Sequence, residues 1–159
     1  MGKRIVIIGG VAAGMKTASR LRRRDKDAEI IVLERGSEVS YGACGFPYYI
    51  GGDVKEFGCF TNGPQGIRDA AFFKEVKGVE VLVRQEATAV NRSEHTVTYL
   101  NRDTGETKVL PYDKLVLATG STPVKLPIPG ADLAGVHNFW FPWDVHAVKQ
   151  DMMEGKVTD

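Results

Sequence analysis

Residues 3–24 read KRIVIIGGVAAGMKTASRLRRR, and the reading of this stretch decides the fold. Ile5, Val6, Ile7 and Ile8 form the continuous β-branched run that a strand buried on both faces requires. Gly9-Gly10 ends that run in a tight turn. Beyond the turn, Ala12, Met15, Ala18 and Leu21 recur at helical spacing, while Arg20, Arg22, Arg23 and Arg24 fall on other faces or at the helix end, where cations suit the macrodipole. A strand, a glycine turn and a helix in immediate succession aim free backbone N–H groups and the positive end of a helix at whatever lies before the turn. That arrangement suits a pyrophosphate.

The glycines read Gly9-Gly10-Val11-Ala12-Ala13-Gly14, so Val11 stands where the G-x-G-x-x-G fingerprint has its second glycine. Two features of context support the nucleotide reading: the buried strand before the turn, and an acid about 20 residues further on that can bind a ribose hydroxyl. That acid is Glu34, which closes a second β-rich run, EIIVL at residues 29–33. An ordinary βαβ unit without a nucleotide has the same spacing, so both readings stand on these residues alone.

A chain of 159 residues with 43% hydrophobic content is long enough for one domain with its own core. Its 21 Lys and Arg against 20 Asp and Glu give a net charge of +1, which provides no strong field toward nucleic acid or a membrane surface. No run approaches the roughly 18 apolar residues of a membrane span, and the N-terminus enters a strand without a signal-peptide pattern. A soluble, cytoplasmic protein is the expectation. Two cysteines, Cys44 and Cys59, are too few for a secreted disulfide framework, and no metal-type spacing is present. His95, His137 and His146 read as surface residues.

Residues 35–52, RGSEVSYGACGFPYYIGG, combine glycines with aromatics crowded around Cys44. A short helix is expected over 43–50, because Pro47 is tolerated in a first turn. A thiol at such a helix start is favoured as the nucleophilic thiolate; the alternative is a small, buried and inert cysteine. Residues 51–66 read as an irregular connector that contains Cys59. Ile67, Ala70, Ala71 and Phe73 predict a helix over 67–77 closed by Gly78, followed by a strand over 79–83. Three β-rich runs, 87–91, 95–100 and 107–112, with turn formers at 101–105, predict an antiparallel meander inserted as a crossover in the larger sheet. KLVLATGS at 114–121 is an apolar strand ending in small residues, so that a ligand or backbone can approach at Thr119-Gly120. Pro123, Pro127, Pro129 and Pro142 mark a linker, a helix is expected over 142–154, and residues 155–159 read as the approach to a new strand.

In this order, the glycine turn, Glu34, the SYGACGFPYY segment at 40–49 and the Ala118-Thr119-Gly120 turn resemble the N-terminal part of the pyridine nucleotide-disulfide oxidoreductases. The set looks most like their single-cysteine branch, which contains coenzyme A-disulfide reductases, NADH oxidases, NADH peroxidases and NAD(P)H-dependent persulfide or polysulfide reductases. That branch often carries Val at the position of Val11. The resemblance implies an α/β, Rossmann-like FAD/NAD(P)-binding fold with a parallel sheet and an inserted antiparallel β-meander. Residues 1–122 would be the first part of the FAD-binding domain, and residues 123–159 a linker, a helix and the start of the NAD(P)H-binding domain.

The resemblance also implies site residues. FAD would meet Gly9, Gly10, Val11, Ala12, Ala13 and Gly14 through its pyrophosphate and Glu34 through its ribose. Arg35 would border the adenosine, the backbone near Ala87 the adenine, and Thr119 and Gly120 the cofactor's other flank. Cys44 matches the redox cysteine, which cycles through a thiolate and a mixed disulfide with coenzyme A, a sulfenate or a persulfide. Arg23 and Ser40 fall where coenzyme A-disulfide reductases contact their substrate. The residue before the cysteine, often Asn in those reductases, is Ala43, which keeps persulfide and polysulfide open as substrates beside coenzyme A disulfide. The family's second dinucleotide fingerprint, its Gly-Asp motif and its C-terminal dimerisation domain do not occur in this sequence. The implied parent is a homodimeric, NAD(P)H-driven enzyme of which these 159 residues are an N-terminal part, inactive alone. The competing reading is a free-standing nucleotide-binding or thiol redox-sensing module without hydride transfer.

Overall fold

The apolar run after Lys3 forms β1 (Arg4–Ile8), and its alternation sorts the side chains between two faces. Ile5 and Ile7 join one core with Met15 and Ala18 of α1 (Ala12–Arg24), whereas Val6 joins a second core with Leu33 and Val97. A strand covered on both sides needs no polar face, which is why no alternation shows in this run. The structure, a computed structural model, describes residues 2–63 and 66–156. From residue 157 onward, the expected approach to a new strand lies outside the described residues.

After α1 come β2 (Glu29–Leu33), α2 (Phe46–Gly51), β3 (Asn62–Gly63), β4 (Gly66–Ile67), α3 (Ala70–Lys77), β5 (Glu80–Leu82), β6 (Gln85–Asn91), β7 (Thr96–Asn101), β8 (Thr107–Pro111), β9 (Lys114–Leu117) and α4 (Pro142–Met153). Short 3-10 turns occupy Ala43–Gly45 and Phe57–Thr61. Two compact units form: Met1–Tyr41 with Thr61–Gly120, and Gly42–Phe60 with Ser121–Asp159.

In the first unit, β1 pairs in parallel with β2 and β9, and β2 with β5, giving the order β5-β2-β1-β9. In order of appearance this is 3-2-1-4, one half of a doubly wound nucleotide-binding sheet with the next strand added beside β1. Phe72 and Phe73 of α3 cover the same face as α1. The antiparallel sheet β6-β7-β8 supplies Val97, Tyr99 and Leu110 to the opposite core. It links β5 to β9 across the sheet, so the expected α/β class and inserted meander are both present.

Several boundaries differ from the sequence reading: the helix expected over 43–50 is a 3-10 turn that continues as α2, β5 is shorter than 79–83, and β6 starts two residues before 87. Helix α3 begins at Ala70 and not at residue 67, because the Asp69 carboxylate accepts the Phe72 N–H at 2.8 Å and caps it. Ile67 pairs instead with Asn62 in a two-residue ladder and is exposed, and Phe72 takes the buried place. Strand β7 begins at Thr96; His95, with φ of 53°, belongs to the turn before it and stacks on Tyr112 at 5.5 Å. In α1, Ala12 is exposed, and the buried stripe starts at Gly14 and runs through Met15 and Ala18.

The second unit is held by aromatic rings. Phe46, 1% exposed, has Phe57, Phe60 and Phe139 with ring centroids at 5.6, 5.7 and 6.3 Å. Pro142 and Val145 of α4 are also buried. The Asp144 carboxylate accepts the Trp140 and Phe141 N–H groups at 3.1 and 2.9 Å and fixes the start of α4. Near its end, His137 meets Asp151 at 2.8 Å. Hydrogen bonds from His137 and then Lys156 hold the Asp151 carboxyl below its ordinary value. Large apolar side chains remain exposed in the linker, among them Val124, Leu126, Ile128, Leu133 and Val136. Among the described residues, no helix is long and apolar enough to cross a membrane.

The Asp69 cap carries a measurable share of the first unit's stability. Asp69→Ala is expected to lower unfolding stability by about 1 kcal/mol, seen in urea as a shifted midpoint with an unchanged slope.

Candidate functional site

The turn between β1 and α1 has a steric reason for its glycines. Gly9 sits at φ of 108°, and a Cβ there would overlap the Ala118 carbonyl oxygen beyond β9. A Cβ on Gly14 would overlap the Gly9 carbonyl oxygen, so the helix could not pack this close to the turn. Val11, the departure from the fingerprint, is the N-cap of α1 and supplies no side-chain cap. No acid lies in the first turn of α1, and Ala12 and Ala13 are exposed with small side chains. The positive end of the helix is therefore open to an anion.

Glu34 lies immediately after β2 and is 8% exposed. One carboxylate oxygen accepts the Gly10 N–H at 2.6 Å and the other accepts the Gly36 N–H at 2.8 Å. An ionised carboxylate has about four lone-pair sites, so acceptor capacity remains for hydroxyl donors beside the turn. Gly36 was not legible as a partner of Glu34, although a glycine two residues after an acid is a local signal for such a turn.

The first unit also brings Ser40 to the turn. Its N–H donates to the Gly10 carbonyl at 2.9 Å, and its φ of 56° is uncommon for a residue other than glycine. Arg35 is half-buried beside Glu34 in sequence. Ala87, on β6, packs against the Val6, Leu33 and Val97 core, and the β6-β7 register shifts between Ala87 and Ala89. Thr119 and Gly120, both exposed, follow β9, and Gly120 has φ of 66°. Arg23 is exposed in the last turn of α1. Its neighbour Arg22 is tied into the fold, donating to the Gly78 and Lys26 carbonyls at 2.7 Å each. The uncapped helix start, the two glycines of the turn and the buried carboxylate fit the diphosphate and ribose of a dinucleotide.

In the second unit, Cys44 lies in the 3-10 turn Ala43–Gly45 that runs directly into α2. It is a free, exposed thiol, so it is not the buried cysteine of the alternative reading. Cys59 is also free and exposed, in the 3-10 turn Phe57–Thr61. The two turns lie side by side: the Gly42 N–H donates to the Phe60 carbonyl at 3.0 Å, and a Cβ on Gly45 would strike the Phe60 ring. Among the described residues, no group of three or more His, Cys, Asp or Glu is placed to hold a metal ion.

The family model described as pyridine nucleotide-disulphide oxidoreductase matches residues 3–158. The chain belongs to the pyridine nucleotide-disulphide oxidoreductases. Among curated members, a coenzyme A disulfide reductase of Staphylococcus haemolyticus is 38% identical over 119 residues, covering 75% of this chain and 26% of that protein. An NADH oxidase of Methanocaldococcus jannaschii is 35% identical over 134 residues, covering 84% of this chain and 28% of that protein. The solved structure of an NAD-dependent persulfide reductase from A. fulgidus superposes with a TM-score of 0.90 at 42% identity, over 96% of this chain and 28% of that one. The chain thus spans little more than a quarter of the length of these oxidoreductases.

Replacing Glu34 by glutamine puts an amide donor among backbone donors. Glu34→Gln is expected to lower stability by about 2 kcal/mol in urea unfolding, the scale of a hydrogen bond to a charged group.

Proposed function

We propose that this chain is the FAD-binding N-terminal part of a longer NAD(P)H-dependent oxidoreductase that reduces coenzyme A disulfide, a persulfide or polysulfide through Cys44. The observation that carries this reading is a free, exposed cysteine at the head of a short helix, in a chain that belongs to this family and has an open dinucleotide turn. Gly9 to Gly14 and Glu34 would hold the cofactor's diphosphate and ribose, with Arg35, Ala87, Thr119 and Gly120 along its length. When bound, the flavin supplies the two-electron relay from NAD(P)H to sulfur. Arg23 and Ser40 would contact the substrate. The parent would be a cytoplasmic homodimer whose remaining length holds the NAD(P)H site.

The sulfur chemistry follows from a thiolate nucleophile. With coenzyme A disulfide, Cys44 Sγ attacks one sulfur, the S–S bond breaks, and coenzyme A leaves as a thiolate. The resulting mixed disulfide takes two electrons and separates into two thiolates. With a persulfide, Cys44 attacks the outer sulfur and expels the organic thiolate. The Cys44 persulfide then takes two electrons and releases HS⁻.

Purified parent protein is expected to be yellow, and Cys44→Ser to lower acceptor-dependent NAD(P)H oxidation by about 10³-fold or more, while Cys59→Ser leaves it unchanged. Protein that stays colourless after incubation with FAD, or a Cys44→Ser variant with full turnover, overturns the proposal.

The 159-residue chain by itself is expected to bind FAD weakly and to show no NAD(P)H oxidation with coenzyme A disulfide or polysulfide. In this reading the glycine turn at residues 9–14 is taken by the flavin, and the chain spans little more than a quarter of its relatives' length. Turnover of about 1 s⁻¹ or more would mean that the chain is a complete enzyme or sensor in its own right.

A further inference from the structure

Helix α2 carries no side-chain cap at its N-terminus, where Cys44 precedes it by two residues. At its other end, Lys149 of α4 reaches its last carbonyls. The Lys149 ammonium donates to the Tyr49 oxygen at 3.0 Å and to the Ile50 oxygen at 3.4 Å. It also lies 5.2 Å from the centre of the Tyr49 ring. A cation at a helix C-terminus satisfies carbonyls that have no intrahelical partner and complements the dipole. For a helix of only six residues, such an anchor matters more than for a long one.

The same face of α4 continues the contact. His146, three residues earlier, packs its ring against Phe57 at 4.6 Å and edge-on to Tyr49 at 6.2 Å. Val145, four residues before Lys149, is fully buried. Helix α4 is itself fixed at both ends, by Asp144 on the Trp140 and Phe141 N–H groups and by Asp151 on His137. The Phe60 ring packs directly against Gly45, the residue after Cys44. The cysteine segment is therefore held by Phe60 near the thiol and by Lys149 at the far end of α2.

We infer that Lys149 is a positioning residue for Cys44: by locking the C-terminus of α2 to the rigid α4, it keeps the cysteine in the geometry needed for attack on sulfur. The inference rests on the reading of Cys44 as the redox thiol. It assigns to a lysine outside the glycine turn and the cysteine motif a role in the sulfur half of the reaction only.

The test compares Lys149→Met, Lys149→Gln and Lys149→Arg in the parent enzyme, with all rates expressed per bound flavin. Ferricyanide reduction by NAD(P)H requires no thiol and serves as the internal control. Lys149→Met is expected to lower kcat with coenzyme A disulfide or polysulfide about tenfold, with KM for NAD(P)H and ferricyanide reduction unchanged. Lys149→Arg, which keeps a cationic donor, is expected to restore kcat to within about twofold. Should the Met variant fold poorly, Lys149→Gln, which keeps a donor without charge, is expected to give an intermediate loss. Hydrogen exchange of the amides over 46–54 is expected to quicken in Lys149→Met while that of β7 does not change. Wild-type kcat in Lys149→Met, or equal losses of acceptor and ferricyanide activity, overturns the inference while leaving the Cys44 reading intact. Full acceptor turnover in Cys44→Ser overturns that reading and the inference with it.

Discussion

Two backbone N–H groups, those of Gly10 and Gly36, converge on the buried carboxylate of Glu34, and that convergence ties together the turns of the first unit. A buried carboxylate is costly unless its oxygens are paired. Here the pairing joins the turn after β1 to the turn after β2, and so fixes the carboxyl ends of two parallel neighbours. The Ser40 N–H on the Gly10 carbonyl adds the following loop to the same point. Breaking this cluster would leave both a charge and backbone donors unpaired, which is why it acts as a constraint and not as one contact among many.

Around that point, the space is set by what is missing from the glycines. Cβ atoms at Gly9 and Gly14 would overlap carbonyl oxygens, so strand, turn and helix approach each other at backbone distance. The consequence is an uncapped helix start with exposed alanines beside a carboxylate. An open helix start beside a carboxylate is chemically suited to a diphosphate and a hydroxyl donor, and here it is built from backbone and one acid.

The second unit solves a different problem. It has few aliphatic residues in its interior, and its order comes from the rings of Phe46, Tyr49, Phe57, Phe60 and Phe139 together with α4. Aromatic pairs at such separations bury large areas while holding defined orientations. Around the exposed Cys44, the Phe60 ring packs against the neighbouring Gly45, and Lys149 reaches the last carbonyls of α2.

The sequence by itself determined what depends on local chemistry. The run Ile5 to Ile8, the glycine turn, the position of Glu34 and the turn formers at 101–105 are each encoded within a few residues, and their elements formed where they were read. The Asn101 carboxamide oxygen, for example, accepts the Asp103 and Thr104 N–H groups, and the Asn101 backbone closes the same turn with Gly105 and Glu106. Boundaries were less legible where a polar cap competes with an apolar pattern: Asp69 shortened α3 at the expense of Ile67. Only the tertiary structure decided the grouping of residues 42–60 with residues 121–159, the exposure of Cys44 and the reach of Lys149 to α2. These rest on contacts between residues up to 100 positions apart, whose free energy comes from packing and long-range hydrogen bonds. No periodicity, spacing or propensity within a short window carries that information.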